Sequence, residues 1–81
     1  MEPQALRALL AKNIRRHAAQ KGLAMNALAD FAAVSRSQLY DVLAGRKAAS
    51  VDWVAKIAVA LEVQPWDLLA PAAARRSSRR G

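Results

Sequence analysis

Leu28-Ala29-Asp30-Phe31-Ala32-Ala33-Val34-Ser35-Arg36-Ser37-Gln38-Leu39-Tyr40-Asp41-Val42-Leu43 is the stretch that decides the fold. Leu28, Ala29 and Ala32 recur at helical spacing, and so do Leu39, Val42 and Leu43. Between them Ser35 offers a side-chain cap. Ser35-Arg36-Ser37-Gln38 fits the capping box, in which a serine accepts from the backbone three residues on and a glutamine reaches back. The pattern predicts a helix over residues 25–32 and another over 36–44, ended by Gly45. The stop between them is Ala33-Val34 rather than a glycine. Two short helices joined by about three residues form a helix-turn-helix at about 25–44. The small Ala29 lets the helices approach closely, and Leu28, Val34, Leu39 and Val42 have the spacing to fill their angle.

The flanks extend the pattern. Residues 4–21 read as a first helix with an apolar stripe of Leu6, Leu10, Ile14 and Ala18, closed by Gly22, which accepts the left-handed conformation without strain. Residues 46–49 are a basic connection. Ser50 caps a fourth helix carrying Val54, Ile57, Ala58 and Leu61 inward, with Asp52 favourably in its first turn. Pro65 opens a short fifth helix to about Leu69, and Pro71 closes it. Nothing alternates as a strand would. The expectation is an all-α, compact five-helix domain over 1–70, followed by a disordered basic tail over 71–81.

Composition limits the function. From 81 residues one domain is expected, without a separate ligand-sensing domain. Cysteine is absent and His17 is the sole histidine, so no metal-ligand set stands out and no cofactor is expected. His17 reads as a surface or boundary residue, and Trp53 and Trp66 as core or subunit-interface residues. No spacing supports a nucleophile with its base, which argues against an enzyme. The net charge of +7 points to an anionic partner. Arg75, Arg76, Arg79 and Arg80 carry much of it. The acidic start, Met1-Glu2-Pro3-Gln4, and an apolar stretch broken by Arg7 and Lys12 give neither a signal peptide nor a membrane span, so a cytoplasmic location is expected.

The first turn of the 36–44 helix carries the candidate chemistry. Arg36, Ser37 and Gln38 form a polar block of the kind a helix N-terminus presents to base edges in a DNA major groove. Arginine can grip guanine O6 and N7, glutamine can do the same to adenine, and serine can donate or accept. Asp41 could accept from a cytosine amino group or pair with a neighbouring arginine.

Residues 6–70 resemble the phage-repressor (Cro/C1, or XRE) helix-turn-helix family. The resemblance rests on Ile14-Arg15-Arg16, Lys21-Gly22-Leu23, Leu28-Ala29, Val34-Ser35-Arg36-Ser37, Leu39-Tyr40, Leu43-Ala44-Gly45-Arg46-Lys47 and the run from Val54 to Val63, followed by Pro65-Trp66-Asp67-Leu68-Leu69. It implies a lambda-repressor-like domain that binds a near-palindromic operator on double-stranded DNA as a homodimer. It also implies base contacts from Arg36, Ser37, Gln38 and Asp41, and phosphate contacts from Ser35, Arg46 and Lys47, with Tyr40 flanking. Trp66, Leu68 and Leu69 would supply the dimer contact. Where the family carries Thr or Ser and then Gln at the start of its second helix, this chain has Ala24 and Met25. Asn26 is the candidate replacement. The turn glycine is Ala33, at which a positive φ would cost about 1 kcal/mol. These departures move the expected phosphate grip toward Arg15, Arg16, Arg46 and Lys47, with the arginine tail as a further contributor.

Two function classes compete. One is a transcriptional repressor. The other is an antitoxin or restriction-modification controller that regulates its own operon and binds a protein partner such as a toxin or anti-repressor. Membrane-surface binding through the first helix and the tail is a third class, and it leaves the capping box and its polar turn unexplained.

Overall fold

A computed structural model describes residues 1–71; the tail expected beyond them, with its four arginines, lies outside the described residues. Among the described residues four α-helices follow one another: α1 (Pro3–Gln20), α2 (Met25–Ala32), α3 (Arg36–Leu43) and α4 (Val51–Leu61). The expected fifth helix is a 3-10 turn, Pro65–Leu68. Pro65 and Pro71 bracket a segment too short for α-helical bonding. Its bonds instead run i to i+3, from the Asp67 N–H to the Gln64 carbonyl and from the Leu69 N–H to the Trp66 carbonyl. Among the described residues there is no strand.

The serine caps act where the sequence places them. Ser35 Oγ accepts from the Gln38 N–H at 3.2 Å and Ser50 Oγ from the Trp53 N–H at 3.0 Å. Only the serine arm of the predicted capping box forms at Ser35.

All four α-helices end in the same lock. A residue at positive φ turns the chain, its N–H bonds the carbonyl three residues back, and the following N–H bonds the carbonyl five back. Gly22 and Gly45 serve at α1 and α3. At α2 and α4 the residues are Ala33 (φ 59°) and Glu62 (φ 61°), side chains for which this region is costly. Lys21 Nζ pairs with Glu62 Oε1, joining the ends of α1 and α4. That hydrogen bond and the ammonium charge hold the Glu62 carboxyl below its ordinary pKa.

The core sits where the helices meet. Ile14, Leu28, Leu39, Ile57 and Leu61 are fully buried, with Ala18, Ala29 and Ala58 allowing close approach. Leu10 and Ile14 of the α1 stripe face this core, but Leu6 lies at its exposed rim. Two polar side chains are buried with them. Asn13 Nδ2 donates to the carbonyls of Leu68 (2.8 Å) and Ala70 (3.0 Å), so α1 holds the 3-10 turn by its backbone. His17, expected near the surface, is buried beside Arg16, with 3.3 Å between Arg16 Nη2 and His17 Nε2. Leaving either Asn13 partner unsatisfied would cost about 1–3 kcal/mol, so the amide is a structural requirement.

Candidate nucleic-acid interface

The turn between α2 and α3 sets the geometry of the site. Ala33 in the left-handed region reverses the chain, the Val34 N–H returns to the Ala29 carbonyl at 3.0 Å, and Ser35 then starts α3 abruptly. Leu39, Val42 and Leu43 fix the inner face of α3, while Arg36 and Ser37 are exposed and Gln38 is half-buried. The polar block therefore stands at the front of a helix that the core holds from behind.

Its members differ in what they touch. Arg36 Nε and Nη2 donate to the two carboxylate oxygens of Asp30, at 3.3 and 2.9 Å. This hydrogen bond, then the Asp30 charge, raises the Arg36 pKa above its ordinary value. Tyr40 donates its hydroxyl to Asn26 Oδ1 at 2.8 Å and so ties α3 to the first turn of α2. Asn26 thus braces the two helices from a position adjoining Met25.

Asp41 and the basic loop form a second group. Arg46 donates from Nε (3.0 Å) and Nη2 (2.8 Å) to the same Asp41 oxygen, and Lys47 Nζ stands 3.7 Å from the other. Asp41 thus makes the pair with a neighbouring arginine that its position allows. Its side chain is 22% exposed, and it holds the loop after α3 with two cations facing solvent.

Two residues leave the exposed set. Arg16 is half-buried, donates from Nη2 to Asn13 Oδ1 at 3.1 Å, and keeps its Nε out of solvent. Packing against the buried Asn13 and His17 directs it inward, whereas Arg15 is exposed. Leu68 is fully buried, because the short turn points it into the core and Asn13 holds its carbonyl there. Trp53 is a core residue, while Trp66 is 66% exposed and Leu69 is partly so. Leu69 borders an apolar groove of about 390 Å³, also lined by Pro3, Leu6, Leu10, Val51 and Val54.

The sequence reading missed Asp30 as a partner of Arg36. Its signal was available: a carboxylate in the last turn of α2 and a cation at the first position of α3 sit six residues apart, across a turn that brings those ends together. No group of His, Cys, Asp and Glu among the described residues could hold a metal ion. None of their helices is long and apolar enough to cross a membrane.

Comparison with known proteins accounts for this arrangement. A family described as a helix-turn-helix domain matches residues 5–72. The solved structure of a hypothetical transcription factor, NHTF, from Neisseria is 31% identical with a TM-score of 0.85, and the match covers 95% of this chain and 88% of that one. The clp gene regulator ClgR from C. glutamicum is 33% identical (TM-score 0.73, 79% of this chain and 82% of that one). The restriction-modification controller protein C.AhdI from Aeromonas hydrophila is 28% identical (TM-score 0.74, 79% and 97%). No curated protein sequence matches. The chain belongs to the helix-turn-helix domain family, XRE-like in type, a family of DNA-binding regulators.

Proposed function

We propose that the chain is a sequence-specific transcriptional repressor that inserts the first turn of α3 into the major groove of an operator. The observation that carries this reading is the polar Arg36-Ser37-Gln38 block, with Arg36 and Ser37 exposed and Gln38 half-buried, on a capped helix whose opposite face is buried. Arg36 and Gln38 offer bidentate donors or acceptors to base edges, with Ser37 beside them. Asp41 completes the base-facing set in this reading and also tethers Arg46 and Lys47. Arg15, Asn26, Ser35, Tyr40, Arg46 and Lys47 supply the phosphate grip, which fixes register without reading sequence. Arg46 and Lys47 keep exposed charge while Asp41 fixes their place. Repression follows from occupancy of the operator in the cytoplasm.

A homodimer is part of the proposal. Trp66 and Leu69 present apolar surface beside the groove between α1 and α4, and pairing across it would bury an aromatic side chain. Two-fold pairing would set the α3 helices roughly 34 Å apart, one turn of DNA. The likeness to C.AhdI favours a second reading, in which the same DNA-binding head controls a restriction-modification operon.

Selection of bound duplexes from a random library tests the first reading. The expected product is a near-palindrome with half-sites one helical turn apart, bound at about 10⁻⁸ to 10⁻¹¹ M. Equal affinity for selected and random duplexes at physiological salt would refute it.

A further inference from the structure

We propose that Asp30 is a positioning residue for base recognition: by holding one edge of the Arg36 guanidinium, it presents the other edge to a guanine. This inference rests on the assignment of base reading to Arg36. The geometry is specific. Asp30 takes the side edge, Nε and Nη2. The terminal edge, Nη1 together with the second Nη2 hydrogen, stays available, and that edge is the fork that matches guanine O6 and N7. A guanidinium is planar and rigid, so fixing one edge fixes the plane and direction of the other.

The placement of the two charges supports a role beyond helix stability. Asp30 lies in the last turn of α2, where the helix dipole disfavours an anion. Arg36 lies at the first position of α3, where it disfavours a cation. Each residue is poorly placed for its own helix, and the two meet across the Ala33 turn. Both side chains are largely exposed, 61% and 55%, so the pair adds little to the packed core. It restricts a long side chain before DNA arrives and reduces the ordering lost on binding.

Asp30 also brings a negative charge toward a polyanion. Its removal therefore has two separable effects, weaker discrimination at one base pair and tighter binding to all DNA. A residue that only repelled phosphate would give the second effect alone.

The test uses the full chain and the duplex selected by the wild-type protein, together with duplexes in which each base pair is changed in turn. Affinities are measured for wild type, Asp30→Asn, Asp30→Ala, Arg36→Ala and the Asp30→Asn/Arg36→Ala pair. Arg36→Ala should flatten the preference at one guanine in each half-site. Both Asp30 variants should lower discrimination at that same guanine by about fivefold to tenfold and leave other positions unchanged. Adding Asp30→Asn to Arg36→Ala should flatten that position no further. Asp30 variants that keep the wild-type preference at every position would overturn the positioning role while leaving the Arg36 assignment intact. An Arg36→Ala variant with no change at any guanine would overturn both.

Discussion

The two ends of α3 carry the same chemical pair, an arginine on an aspartate, and use it differently. At the N-terminal end, Arg36 spreads two nitrogens over both oxygens of Asp30, and the two residues belong to different helices. At the C-terminal end, Arg46 places two nitrogens on one oxygen of Asp41, and Lys47 approaches the other. Asp30 is exposed, whereas the Asp41 side chain is 22% exposed and anchored on α3 itself. The first arrangement orients a fork. The second gathers charge on a loop. Ion pairing therefore does not set function by itself; what matters is which edge of the guanidinium remains free and what backbone carries it.

The largest expected effect comes from breaking the first pair on its cationic side. Arg36→Ala should weaken binding to the selected duplex by about ten- to a hundredfold, with little change on random DNA, as read in competition binding assays. Arg46→Ala should act differently. It should weaken selected and random duplexes alike, by a few-fold at moderate salt, and reduce the slope of log K against log salt by about one. Similar losses of selectivity from both variants would dissolve the distinction between the two ends.

The smallest effect concerns the turn that brings Asp30 to Arg36. Ala33→Gly removes the side chain from a positive-φ position and should stabilise the fold by about 1 kcal/mol, tempered by the greater freedom of glycine in the unfolded chain. Thermal denaturation should show this as a rise of a few degrees, about 4–8 °C per kcal/mol for a domain of this size. Base preference should not change, because the turn geometry is already that of a glycine. A fall in melting temperature would mean that the Ala33 methyl contributes more than its conformation costs.

Local signals made most of the fold legible. Apolar spacing gave α2 its two boundaries, the serines at 35 and 50 gave the caps, and Gly22 and Gly45 gave two of the four stops. Glu62 carried no such signal, since a glutamate at positive φ depends on the surrounding lock and on its Lys21 partner. Asn13 and His17 look like surface residues on a charged helix. Only the carbonyls of Leu68 and Ala70, 55 and 57 residues away, show why Asn13 is inside. Arg16 follows it inward, and Leu68 turns to the core for the same reason. At the interface, residue types and capping made the Arg36-Ser37-Gln38 block readable. The identity of its supporting carboxylate was not, because it depends on how closely two helix ends meet across a turn.

The most direct measurement replaces the guanine assigned to Arg36 with 7-deazaguanine, which keeps base pairing and removes the N7 acceptor from the major groove. The wild-type chain should lose about tenfold in affinity for the altered duplex, while Arg36→Ala should bind altered and unaltered duplexes equally. Unchanged wild-type binding, or an equal loss in both proteins, would contradict recognition of that base by the first turn of α3.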